Sequence, residues 1–175
     1  DAATFNAPVG NVTPLGDGGG PALTINSAGP TTFVSTLQTA SGITQAGAAG
    51  LVTLQDTVTV GAGDTPSTFN ANVTLDGLTL SADGAVTFGD AAADALTLAG
   101  GAVTLTTTGA GDTLTVNATV NGAQDLTLNT ADAATFNAPV GNVTPVGNIV
   151  ITNAGLLTLA AAGDITADGA VTQNG

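Results

Sequence analysis

The stretch that decides the fold is DAATFNAPVGNVTP, which occupies Asp1 to Pro14 and returns without a change at Asp132 to Pro145. An identical segment that returns so far along the chain indicates a repeat protein, in which one structural unit recurs. We therefore divide the chain into one full repeat, residues 1–131, and the start of the next copy, residues 132–175.

A shorter motif recurs inside the long repeat. The eleven-residue segments LTINSAGPTTF, LTLSADGAVTF, LTLNTADAATF and IVITNAGLLTL begin at Leu23, Leu78, Leu126 and Ile149, and a ten-residue version, LTLAGGAVTL, begins at Leu96. Each segment predicts two short strands joined by a turn of small residues, because apolar and polar residues alternate on both sides of the turn. Alternation with a period of two points the aliphatic side chains inward and the threonines to solvent.

The spacing of these openings favours a stack of short coils. Leu23 is followed by Ile43, Leu78 by Leu96, and Leu126 by Ile149. Intervals of about 20 residues suit one coil of a solenoid. We predict an all-β fold, a parallel β-helix (β-solenoid) that forms an elongated repeat segment with roughly seven coils in each long repeat. A β-sandwich is the alternative, since alternating strands with Gly and Asn turns are typical of that fold too.

The composition excludes several classes of function. The chain contains no Lys, Arg, His, Cys, Met, Trp, Tyr or Glu, and its 13 aspartates give a formal net charge of −13. Such a surface repels nucleic acid and anionic lipid, so neither is an expected partner. No stretch offers the ~20 apolar residues of a membrane-spanning helix. We expect no enzymatic activity, because Asp is the only side chain available for acid–base chemistry near neutral pH.

The segment VNGAQDLTLNTADAATFNAPVGNVTP, from Val120 to Pro145, resembles the long repeats of filamentous-haemagglutinin-like bacterial surface proteins. GAVTFG at Gly84 to Gly89 and GDIT at Gly163 to Thr166 extend the resemblance along the chain. Members of that class are exported giant β-helical proteins that build surface fibres and often serve adhesion. The resemblance implies an extracellular location at a bacterial cell surface.

Calcium is the one ligand that the aspartates suggest. Asp83, Asp90 and Asp94 come closest to a cluster in the sequence, and stacked turns can bring carboxylates of adjacent coils together to share a hard cation. The alternative is that these aspartates simply form solvated turns. Paired carboxylates can also hydrolyse glycosides, but we predict no catalytic residues and no other cofactor.

Two further residue types form patterns of their own. Phe5, Phe33, Phe88 and Phe136 occupy the same position of the short motif, so we expect them to stack as a ladder in the core. The 32 threonines include the Thr-x-Thr pairs Thr57/Thr59 and Thr104/Thr106. Outward rows of threonine on a solenoid suit ice binding, although Thr is favoured on solvated strand faces in any case.

Together these features predict a structural segment of a long extracellular bacterial surface fibre, acting as a passive spacer, stalk or armour. The alternative is a binding module: an adhesin that contacts other cells or surfaces, or an ice binder. Because a solenoid must cover its open ends, we expect this internal segment to adjoin further repeats of its own polypeptide or further copies of itself at both ends, as in a homo-oligomeric filament.

Overall fold

The computed structural model describes residues 1–16, 19–61, 63–153 and 155–174, and this part of the chain is all-β without a helix. None of the described residues therefore forms a helix long and apolar enough to cross a membrane. The strands are short. In chain order they are β1 (Ala3–Phe5), β2 (Leu23–Ile25), β3 (Thr31–Phe33), β4 (Leu37–Thr39), β5 (Ile43–Gln45), β6 (Val52–Leu54), β7 (Val58–Val60), β8 (Ser67–Phe69), β9 (Val73–Asp76), β10 (Thr79–Ala82), β11 (Val86–Phe88), β12 (Ala95–Ala99), β13 (Val103–Thr107), β14 (Leu114–Val116), β15 (Thr119–Asn121), β16 (Leu126–Thr130), β17 (Ala134–Phe136), β18 (Ile149–Asn153), β19 (Leu157–Leu159) and β20 (Val171–Asn174).

The strands form three parallel sheets that the chain visits in a fixed rotation. Sheet A runs β1-β3-β6-β9-β12-β15, sheet B runs β4-β7-β10-β13-β16-β18-β20, and sheet C runs β2-β5-β8-β11-β14-β17-β19. From β3 to β17 each full turn of the chain places one strand in each sheet, and strands of one sheet pair with their counterparts in the turns before and after. Isolated bridges at Val9 and Leu15 replace a sheet B strand after β1, and bridges at Val140 and Ile165 replace sheet A strands after β17. This arrangement is a parallel β-solenoid of about six turns, so the predicted fold class is confirmed and the β-sandwich is excluded.

The predicted number of coils was too high. The chain passes through sheet A six times from β1 to β15, and β17, which holds Ala134, follows on sheet C before the next return. One long repeat therefore completes fewer than six turns instead of roughly seven. Turn lengths also vary, since Leu23 pairs with Ile43 in the next turn whereas Val86 pairs with the more distant Leu114. Long loops at some corners lengthen individual turns beyond the spacing that the short motif indicates.

The predicted number of turns was too high because the short motif occurs at all three corners of the solenoid, and not once in each turn. The segment starting at Leu23 joins sheet C to sheet A, the one at Leu96 joins A to B, and the one at Leu78 joins B to C. The chain from Leu78 to Leu96 consequently leads from sheet B to sheet A, which is less than one turn. Any corner accepts the motif because all three need the same element: two alternating strands around a small-residue turn.

The core consists of columns of inward side chains that stack from turn to turn. In sheet B one column contains aliphatic residues in register, all at most 2% exposed: Leu37, Val58, Leu80, Leu105, Leu128 and Ile151. Each buried Leu or Ile stabilises the fold by about 1.5 to 3 kcal/mol relative to an exposed one. Because every turn places an apolar residue at the same height of its strand, the interior is continuous along the axis.

The two copies of DAATFNAPVGNVTP share a backbone conformation but lie on different faces. Ala3–Phe5 is a strand of sheet A, whereas Ala134–Phe136 is a strand of sheet C. In both copies the following segment makes a pair of bridges to the next turn: Val9 and Leu15 bridge Leu37 and Thr39, and Val140 and Val146 bridge Ile165 and Ala167. The second copy is thus the first copy rotated by one face of the solenoid.

Glycine is required at the same point in both copies. Gly10 and Gly141 each have φ of +76°, and a β-carbon on either residue would collide with a backbone carbonyl of the next turn, that of Gln38 or Thr166. In each copy the glycine starts a short excursion of the chain between the two bridges. The exposed Val12 and Val143 lie at the tips of these excursions. The backbone can leave and rejoin the strand only where no side chain intervenes.

We predict that Gly141→Ala destabilises the protein by about 2 kcal/mol or more, because it adds a clash with the backbone to a left-handed φ. Gly101→Ala is the matched control, since its β-carbon would meet only the Cα of Gly77 at an ordinary 3.6 Å. Urea unfolding followed by circular dichroism measures both. Equal stabilities for the two variants would contradict the role assigned to Gly141.

Candidate functional site

The corner between sheets B and C gathers three carboxylates from three consecutive turns. Asp64 follows β7, Asp83 follows β10 and Asp112 lies in the loop between β13 and β14. One carboxylate oxygen from each residue lies within 4.8 Å of the other two, and this is the one such group of three acidic side chains among the described residues. Stacking of successive turns creates the cluster, since the three residues are far apart in sequence.

The members of the cluster differ in their surroundings. Asp112 is buried, and its Oδ2 accepts a hydrogen bond of 2.7 Å from the backbone N–H of Gly84. Asp64 is exposed and has φ of +49°, the left-handed region that Asp tolerates better than most residues. Oxygen ligands at this separation are of the type that Ca²⁺ accepts, so these are the residues that could hold a cation.

The structure separates the three aspartates that the sequence grouped. Asp83 belongs to the cluster, whereas Asp90 and Asp94 lie in the loop between β11 and β12. There Asp94 Oδ2 accepts hydrogen bonds of 3.0 Å from the backbone N–H groups of Asp90 and Ala91. Asp94 therefore stabilises the turn in which it lies, as expected for a short acidic side chain in a loop.

Sequence reasoning missed Asp64 and Asp112. Both stand in the tripeptide Gly-Asp-Thr, at residues 63–65 and 111–113, and this recurrence was the available signal. Their convergence also depends on turns of different length. Val86 pairs with Leu114 across a long turn, and only the folded loop of that turn places Asp112 over the preceding one.

The four phenylalanines predicted to stack lie in two sheets. Phe5 stacks on Phe33 in sheet A, with ring centroids 4.8 Å apart and an interplanar angle of 7°. Phe88 stacks in sheet C on Phe69, which the prediction omitted, at 5.1 Å and 13°. Phe136 is also in sheet C, where Val116 separates it from Phe88. The rotation of the two copies explains why Phe5 and Phe136 lie on different faces.

Outward-facing threonines form columns that the sequence did not reveal. The middle residue of every strand in sheet C is threonine, and all are in register: Thr24, Thr44, Thr68, Thr87, Thr115, Thr135 and Thr158. Sheet A carries a similar column of Thr4, Thr32, Thr53, Thr74 and Thr97. Hydroxyl groups therefore repeat along two faces at the spacing of adjacent strands, about 4.8 Å.

Sheet B carries two outward columns side by side, because some of its strands are longer. One contains Thr79, Thr104, Thr127, Val150 and Thr172, and the other contains Thr59, Ser81, Thr106, Asn129 and Thr152. The pair Thr104/Thr106 lies within this array. Sheet B is therefore a two-dimensional array of polar residues interrupted at Val150, in which alternate residues along a strand are about 6.8 Å apart.

Comparisons of this chain with protein-family models, with curated proteins and with solved structures found no match.

We predict that Asp64→Asn stabilises the protein by about 0.5 to 1 kcal/mol at neutral pH, because it removes one charge from three mutually repelling carboxylates. The gain should shrink in about 1 M salt, which screens charges at this range. The control is Asp168→Asn, an exposed aspartate outside the cluster. Thermal unfolding at low and high salt measures the effect, and a loss of stability in Asp64→Asn at low salt would contradict it.

Proposed function

We propose that this chain is a structural segment of a long extracellular fibre at a bacterial surface, where it acts as a spacer, stalk or armour. The observation that carries the proposal is the uniformity of the solenoid. Although the corner loops differ in length, each turn stacks an apolar interior and a polar exterior on the turn before it, and the same short motif occurs at all three corners. Such a unit extends an object along one axis without adding chemistry.

The distribution of side chains supports a passive role. Aliphatic columns fill the interior, and threonine columns cover the outward faces of the sheets. Among the described residues the acidic side chains lie at corners and in loops, apart from Asp76 at the end of β9. Asp94 and Asp112 accept hydrogen bonds from the backbone. A surface of hydroxyl groups and carboxylates is well hydrated and resists nonspecific association, as a fibre exposed to the environment requires.

The resemblance of Val120–Pro145 to filamentous-haemagglutinin-like repeats supports the same proposal. That stretch contains β16, β17 and the excursion at Gly141, which are elements of the solenoid itself. Strand, turn and glycine excursion follow one another there without an intervening insertion. We therefore propose that the protein is a fibre-forming surface protein of that kind.

Antibodies raised against the folded chain test this function on intact cells of the source organism. We expect immunogold labelling outside the cell envelope, along filaments, without permeabilisation. Protease treatment of intact cells should remove the label. Labelling that appears only after permeabilisation would contradict an extracellular fibre.

A second candidate function is binding to ice, and the double column of sheet B favours it over other binding roles. Threonine, serine and asparagine repeat there along two directions with fixed spacings, and Val150 is the one apolar member of the two columns. A regular array of hydroxyl groups can hold surface water in an ordered pattern, which is the property an ice-binding face needs.

Inhibition of ice recrystallisation tests this second candidate. If sheet B binds ice, the wild-type chain suppresses crystal coarsening, and the double variant Thr104→Lys/Thr106→Lys loses that effect because two bulky charges interrupt the array. Thr32→Lys/Thr53→Lys is the matched control, since these residues lie in the single column of sheet A. A wild-type chain without effect on ice crystals would eliminate this candidate.

A further inference from the structure

The two identical copies of DAATFNAPVGNVTP differ in how far the fold covers them. Phe5 is 42% exposed, whereas its counterpart Phe136 is 2% exposed. Ala7 is exposed, whereas its counterpart Ala138 is fully buried. Since sequence and local conformation are the same, the difference comes from a neighbouring turn that covers the second copy and leaves the first copy open.

The strand that covers the second copy is known. Sheet C places β14 on the preceding side of β17, with Leu114 opposite Ala134 and Val116 opposite Phe136. The backbone N–H of Asn137 donates a hydrogen bond of 2.8 Å to the carbonyl oxygen of Val116. The preceding edge of an Ala-Thr-Phe strand thus accepts a strand of the pattern Leu-Thr-aliphatic.

The carboxy-terminal end of the solenoid presents a strand of that pattern. β19, with the sequence Leu-Thr-Leu, is the last strand of sheet C, and Leu159 is 46% exposed. On its other edge β19 already pairs with an Ala-Thr-Phe strand, β17, with Leu159 opposite Phe136. The open edges of β1 and β19 are therefore complementary in strand pattern and in exposed apolar side chains.

We propose that a second copy of this chain docks head to tail, its amino-terminal end on the carboxy-terminal end of the first, rotated by one face of the solenoid. In this arrangement β1 of the docked copy pairs with β19 in sheet C, placing Ala3 opposite Leu157, Thr4 opposite Thr158 and Phe5 opposite Leu159. The inference rests on the proposed fibre function and names the contact that two copies of this chain would make.

The rotation follows from the order in which the sheets end. The last described strand, β20, lies in sheet B, so the next position of the spiral is in sheet C. If β1 of the docked copy occupies that position in sheet C, its Val9 and Leu15 lie over Ile165 and Ala167. On their opposite side Ile165 and Ala167 already bridge Val140 and Val146, the equivalents of Val9 and Leu15. β2 then lies over β20 and covers Val171, which is 52% exposed. Docking without rotation would leave an empty position in sheet C.

A concave apolar surface at the amino-terminal end is consistent with this contact. A cavity of about 250 Å³ opens there between β1 and β2, and its walls include Phe5, Leu23, Ile25 and Phe33. These side chains form the open cross-section of the core. A docked turn would fill the cavity with Leu159 and its neighbours, as the interior turns fill one another.

Sedimentation velocity over a range of concentrations tests the proposal, at about 0.15 M salt or above so that the net charge of −13 is screened. The wild-type chain is expected to form progressively longer particles as concentration rises. Phe5→Asp and Leu159→Asp should each remain monomeric, because each blocks one end. An equimolar mixture of the two variants should form 1:1 dimers and nothing larger, since one intact end remains on each.

Val12→Asp is the matched control for an added charge in the same segment. Val12 is 91% exposed and its counterpart Val143 remains 79% exposed inside the stack, so docking should not cover it and association should match the wild type. The dimers of the mixture also establish that both blocked variants are folded.

The rotation has its own test in disulfide trapping, because the chain contains no cysteine. Oxidation of Thr4→Cys/Thr158→Cys should link successive copies, whereas Thr24→Cys/Thr158→Cys, which reports docking without rotation, should not.

A wild-type chain that stays monomeric at every concentration would overturn the proposal, as would association of either blocked variant alone. That result would leave the cell-surface test of the fibre function untouched. Conversely, if copies associate in sedimentation but the immunogold label is confined to the cell interior, the surface function is contradicted and the contact between copies stands.

Discussion

The parallel, in-register pairing of each strand with the strands of adjacent turns is the constraint on which the rest of this structure depends. It satisfies backbone donors and acceptors along the axis, at a net contribution of about 1 kcal/mol per hydrogen bond. It also fixes which side chains meet, because residues in register share a height and a face. The aliphatic column from Leu37 to Ile151 and the threonine column from Thr24 to Thr158 are two consequences of one register.

The same constraint makes the three faces interchangeable. Each sheet needs strands with an inward apolar and outward polar alternation, and each corner needs a short turn of small residues. A segment that meets those needs fits any face, which is why one fourteen-residue sequence lies in sheet A at Ala3 and in sheet C at Ala134. The sequence repeat and the turn of the solenoid are therefore different periods, and a continuing array would present its repeats on successive faces.

Local alternation was enough to predict the fold class, because the apolar–polar–apolar order of residues such as Leu126, Thr127 and Leu128 indicates which side of the strand is buried. The number of turns was not predictable in this way, since the motif at Leu96 marks a different corner from the motif at Leu78. The full acidic cluster could not be predicted from the sequence for a related reason. Asp83 was identified, but its neighbours Asp64 and Asp112 reach it only through turns whose lengths differ, and loop conformation is poorly encoded by composition.

The most direct test of the stacked turns is a set of spin-label distances along sheet C. The absence of native cysteine allows nitroxide pairs joining Thr24→Cys to Thr115→Cys, Thr135→Cys or Thr158→Cys, which lie four, five and six strands away. Electron–electron resonance should give distances of about 19, about 24 and about 29 Å, rising by about 4.8 Å per strand. Distances that fail to rise in equal steps would contradict a solenoid with this register.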